Sequence, residues 1–124
     1  MFILIVKGER SVQLTENFKS SEFLCKCSYS DCNHSFVNED TLESLQRLRT
    51  ALGVALRITS AHRCQRHNAD VGGLPTSQHL RGSAVDLEVP VSLSIKEFSA
   101  SALASGFDVV IEYKEDNFIH CHRL

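Results

Sequence analysis

In the segment Ser77-Gln78-His79-Leu80-Arg81-Gly82-Ser83-Ala84-Val85-Asp86 a histidine and a carboxylate flank a glycine, and near the C-terminus Phe118-Ile119-His120-Cys121-His122 brings two more histidines. For these groups to meet one ion, a turn, the strand after it and the last strand must converge. Few ways of folding 124 residues allow that. Side chains alternate across an extended strand, so Phe118, His120 and His122 share one face and Ile119 and Cys121 the other. By the same rule Ala84, Asp86 and Glu88 share a face while Val85 and Leu87 turn to the core. His79, Asp86 and His120 are the candidate ligands. Imidazole nitrogens with a carboxylate oxygen suit zinc, and three protein ligands leave a fourth position open, the catalytic form of such a site. Ligand type alone also admits other divalent ions.

The pattern Ser-x-His-x-x-Gly-x-Ala-x-Asp, preceded by Ile58-Thr59-Ser60-Ala61-His62-Arg63 and by Asn68 with Val71-Gly72-Gly73, resembles the zinc-dependent D-Ala-D-Ala carboxypeptidase and endopeptidase family. The Gly-x-Ala-Val-Asp and Ile-His-Cys runs are also similar to the hedgehog signalling domain, which shares that scaffold. The resemblance runs from about Glu16 to the C-terminus. It implies a hedgehog/DD-peptidase-like α+β fold, one catalytic Zn2+ and the hydrolysis of peptidoglycan stem peptides, either D-Ala-D-Ala carboxypeptidase or cross-link endopeptidase activity. Two alternatives stay open: an L-alanyl-D-glutamate endopeptidase, and a non-catalytic, zinc-stabilised binding domain. The resemblance further implies that Arg63 lies near the zinc, where its guanidinium fork suits a substrate carboxylate or carbonyl. Ser77, two residues before His79, is a candidate to hydrogen-bond ligand or substrate.

A hydrolase of this class also needs a group to take a proton from water and pass it to the leaving amine. Relatives supply a histidine two residues before the last ligand, or an acidic residue slightly further upstream. Here those places hold Phe118 and Asn117. The candidates that remain are His122, on the ligand face, then Asp116 and Glu115 in the adjoining turn.

The net charge of −2 lacks the basic surplus of a nucleic-acid binder. The apolar run Phe2 to Val6 is too short to span a membrane and lacks the flanks of a signal peptide. Neither nucleic acid nor membrane is an expected partner; the resemblance implies a stem peptide, bound by a monomer. Five cysteines, an odd number, fit a reducing compartment. The expectation is a protein held in the cytoplasm of the producing cell that acts on the wall after release, as a phage lysis enzyme does.

The length suits one domain over residues 1–124, and no repeat or linker interrupts it. Met1 to Val6 reads as a buried strand. Leu42, Leu45, Leu48 and Leu52 recur at helical spacing between Asn38 or Asp40 as N-cap and Gly53 as stop. Val54 to Ile58 reads as a strand, Arg66 to Asp70 as a short helix and Ala84 to Val89 as a strand. A second long helix follows the capping box Ser94-Ile95-Lys96-Glu97. Phe107 to Tyr113 and Phe118 to Arg123 form a hairpin across Lys114-Glu115-Asp116-Asn117. Together these give a mostly antiparallel sheet with helices packed on one side. Cys25, Cys27, Cys32 and His34 lack a standard zinc-finger spacing and read as a structured loop, with a second metal as the alternative. Cys64 and Cys121 read as packing residues.

Overall fold

The computed structural model describes residues Met1 to Leu124. The fold is α+β, with two antiparallel sheets and three helices. Strands β1 (Phe2–Val6) and β2 (His34–Asn38) form a two-stranded sheet, and β3 (Ile58–Ser60), β4 (Ala84–Glu88), β5 (Val109–Tyr113) and β6 (Phe118–His122) form a four-stranded sheet in the order β3-β4-β6-β5. The helices are α1 (Glu39–Leu52), α2 (Gln65–Asp70) and α3 (Ile95–Ala104).

Local chemistry sets the helix ends. The Asn38 side chain accepts the Asp40 N–H, and Gly53, in the left-handed region, donates its N–H to Arg49 O. The Ser94/Glu97 capping box closes both ways at the start of α3. One apolar cluster then holds α1 and α3 against the sheets. Leu45 and Leu48 of α1, Phe98 of α3, Val85 and Leu87 of β4 and Ile119 of β6 are all fully buried in it. Each such side chain contributes about 1.5–3 kcal/mol relative to exposure. The core thus claims one face of β4 and β6 and leaves the other to Asp86 and His120.

Two strand expectations need correction. β1 is not a buried strand: it pairs only with β2, so Ile5 faces the core while Phe2 and Leu4 are 54% and 65% exposed. β3 does not begin at Val54. Its pairing with β4 is interrupted by an irregularity between Ile58 and Ser60, and only Ile58–Ser60 forms ladder. Leu56 is buried without belonging to a strand, which is what its alternation with Arg57 recorded.

Between Ser77 and Ala84 the chain makes a 3-10 turn, Gln78–Arg81, closed by Gly82 at φ 68°. A Cβ at Gly82 would lie 2.6 Å from the Phe36 carbonyl oxygen, so both backbone angle and space demand glycine there. Gly82 O also accepts the Asn38 N–H at 2.9 Å, tying the turn to the head of α1.

Candidate metal centre

In the β4–β6 register Asp86 stands directly opposite His120, with Ala84 opposite His122 and Glu88 opposite Phe118. The 3-10 turn swings His79 onto the same spot. His79 Nε2 lies 3.1 Å and His120 Nδ1 3.0 Å from one oxygen of Asp86, Oδ1. The three donor atoms lie within 4.8 Å of one another. His79 and Asp86 are buried and His120 is nearly so.

The donor set fits a metal ion. His79 Nδ1 is 2.6 Å from Ala61 O, which can only accept, so Nδ1 carries the proton and Nε2 presents a lone pair. That lone pair faces Asp86 Oδ1, another acceptor. The two repel unless a cation lies between them, either a second proton on the ring or a metal. Around a tetrahedral ion with N and O ligands at about 2.0–2.1 Å, neighbouring donors stand about 3.3–3.4 Å apart. The observed 3.0 and 3.1 Å are within a few tenths of that. Burial alone would raise the Asp86 pKa, but a proton shared with His120 and His79 plays the part of that cation, and these contacts prevail and bring it down to about 2. It is anionic at any physiological pH.

Arg63 approaches the other Asp86 oxygen, with Nη2 at 3.4 Å from Oδ2. Its Nε donates to Ser60 Oγ at 3.2 Å and its Nη1 to Asn68 Oδ1 at 3.3 Å. Three of the five guanidinium hydrogens are thus engaged and two are left. Asn68, quoted in the sequence pattern without a role, also donates Nδ2 to Leu74 O at 2.9 Å and so fixes the loop that borders the site. Gly73 fits against it because any Cβ there would fall 2.1 Å from Asn68 Oδ1. Ser77 serves the ligand indirectly: its Oγ accepts the His79 backbone N–H at 3.2 Å.

His122 is on the ligand face, as strand alternation requires, and its Nδ1 lies 2.8 Å from His120 Nε2. That is the ring nitrogen His120 turns away from Asp86. With His120 Nδ1 offered as a lone pair, Nε2–H donates and His122 Nδ1 accepts. Burial, and then the neighbouring His120, lower the His122 pKa, which keeps it neutral and able to accept. Glu115 and Asp116 are exposed in the hairpin turn and do not line the site.

The ligand face opens into a cleft of about 530 Å³. His79, Asp86 and His120 line it together with Gly72, Gly73 and Leu74 and with Ile111, Tyr113 and Phe118. Phe118 stacks on Tyr113 with ring centroids 4.6 Å apart and planes 5° from parallel. Nothing in the sequence pattern marked Ile111 or Tyr113, because only the β5–β6 register, Ile111 against His120 and Tyr113 against Phe118, brings them to the site.

The cysteine expectation changes. His34 is exposed at the start of β2, whereas Cys64 is no packing residue: its thiol joins those of Cys25, Cys27 and Cys32, all within 4.8 Å of one another. Cys121 is wholly buried in the core, as expected.

An antiparallel sheet presents this donor set on one face, with the hydrophobic core on the other. A family model described as Peptidase M15 matches residues 16–122, and the chain belongs to that family of zinc-dependent peptidases. No curated protein matches the chain.

Proposed function

We propose that the chain hydrolyses peptide bonds in peptidoglycan stem peptides, at the D-Ala-D-Ala terminus or at a cross-link, with His79, Asp86 and His120 as the ligands of one zinc ion. The observation that carries this reading is the meeting of His79 Nε2, Asp86 Oδ1 and His120 Nδ1 in the cleft, with the His79 tautomer locked by Ala61 O. Zinc in such a site brings the pKa of water to about 7 and polarises a carbonyl. Arg63 holds Asp86 from behind and offers its two remaining N–H groups to the substrate's carboxylate or carbonyl oxygen. The apolar side chains of Leu74, Ile111 and Tyr113 suit the small methyl groups of alanyl residues. Wall degradation during lysis is the setting this chemistry serves.

In this reading His122 is a positioning residue for His120. Ligand histidines usually donate their second ring nitrogen to an acceptor that fixes the ring and raises its basicity. A second reading, a binding domain without turnover, draws support from a specific feature: Asp86 is the sole carboxylate lining the cleft, and Phe118 stands where relatives keep a base.

The test is turnover of defined muropeptides by zinc-loaded protein, scored bond by bond. Release of D-Ala alone, or of cross-linked partners, identifies the first reading; cleavage between L-alanine and D-glutamate identifies the other endopeptidase. Stem peptides bound but not cut by fully zinc-loaded protein would replace the enzyme with the binding domain.

A further inference from the structure

We propose that Cys25, Cys27, Cys32 and Cys64 form a second, closed, structural zinc site, independent of the cleft and of the peptidase reading. The four sulfurs lie within 4.8 Å of one another, and Cys27 Sγ and Cys64 Sγ are 3.9 Å apart. Zinc–thiolate bonds of about 2.3 Å set the edge of a tetrahedron at about 3.8 Å. A disulfide requires about 2.05 Å. The arrangement therefore has the dimensions of a metal cage and not of a pair of bridges.

Hydrogen-bond donors surround these sulfurs. Lys7 Nζ lies 3.4 Å from both Cys27 and Cys32 Sγ. The Cys64 backbone N–H points at Cys25 Sγ at 3.2 Å, and the His67 N–H at Cys64 Sγ at 3.4 Å. Every sulfur of the four thus has a donor aimed at it. Four thiolates around Zn2+ carry two net negative charges, which Lys7 and these N–H dipoles offset. Such outer-shell donors accompany metal ligands and orient them.

The site also answers a question of order. Cys25, Cys27 and Cys32 sit on a stretch that forms neither helix nor strand between a short 3-10 turn and β2, while Cys64 caps α2 from a distant part of the chain. Loop backbone held by few ladder bonds gains most from a metal clip, because the binding free energy becomes folding free energy. Arg66 stacked over the Tyr29 ring at 3.8 Å, and paired with Asp31 at 3.2 Å, closes the same loop from outside. Since Cys64 directly follows Arg63, the clip fixes the chain one residue from the arginine that holds Asp86.

Cobalt(II) is the probe, with the full chain. Wild type loaded with cobalt is expected to take up two ions and to show a strong thiolate-to-cobalt charge-transfer band. The His79→Ala/Asp86→Ala variant should keep one ion and the full band, whereas Cys27→Ser/Cys32→Ser should lose the band and keep at most one ion. Should the cysteine variant fail to fold, stepwise modification of wild-type zinc protein with a mercurial reagent reads the same point: one zinc is released as four thiols react. A wild-type cobalt protein without the charge-transfer band, mercurial modification that frees no zinc, or fewer than five thiols in the chelated, unfolded chain would each overturn the proposal.

Discussion

Replacing His122 separates two roles that the sequence alone leaves together. In the structure His122 Nδ1 lies 2.8 Å from His120 Nε2, on the ring edge opposite Asp86, and it accepts when His120 offers Nδ1 as a ligand. His122→Ala removes the acceptor and leaves His120 free to turn on its strand. Loss of such a partner costs typically 10–100-fold in metal affinity, or about 1.4–2.7 kcal/mol. His122→Asn is the informative companion, because the asparagine Oδ1 occupies about the position of the imidazole Nδ1 and accepts the same hydrogen bond. The expected result is a zinc dissociation constant, measured by competition with a chromophoric chelator, that rises about 10–100-fold in His122→Ala and by only a few-fold in His122→Asn. Turnover at saturating zinc should be nearly restored in the asparagine variant. A general base would behave otherwise: asparagine cannot take a proton, so both variants would keep zinc and lose about 10²–10⁴-fold in turnover. That second pattern would refute the positioning role and return His122 to the place the sequence suggests for it.

Alanine at His79, Asp86 or His120 should each abolish tight zinc binding at the cleft; equilibrium dialysis showing full retention in any two would remove the assignment. His62 is buried beside Phe36, its Nδ1 has no partner, and burial together with Lys7 and His79 lowers its pKa from 6.5 to about 4. The unfolded chain protonates His62 below pH 6.5 while the folded protein resists it, so stability falls as pH drops toward 4, here by up to about 3 kcal/mol at 1.36 kcal/mol per unit. Urea unfolding of zinc-free protein should show that fall, and His62→Phe should flatten it; equal slopes in the two proteins would count against it. Gly82→Ala puts a Cβ into the Phe36 carbonyl at a positive φ, and is expected to cost at least about 1–2 kcal/mol in unfolding free energy and to weaken zinc binding through His79. Wild-type stability and affinity in that variant would show that the turn is not held as described.

What the sequence determined by itself was whatever depends on near neighbours. Period-two alternation put His120 and His122 on one face of β6, side-chain caps bounded α1 and α3, and the His79–Asp86 segment carried its own turn and glycine. Those signals are local, since a cap or an alternating strand needs only the residues beside it. Tertiary structure decided what depends on register and docking. The β4–β6 ladder set Asp86 opposite His120, and the β5–β6 ladder brought Ile111 and Tyr113 to the cleft. Exposure of Phe2 and Leu4 follows from β1 having one neighbour and one covered face, which an apolar run does not reveal. Arg63 on Asp86 and Cys64 among the thiols of a loop 39 residues away in sequence from Cys25 are likewise invisible to spacing. Contacts between distant segments are fixed by the packing of the whole core, and no window along the chain contains that information.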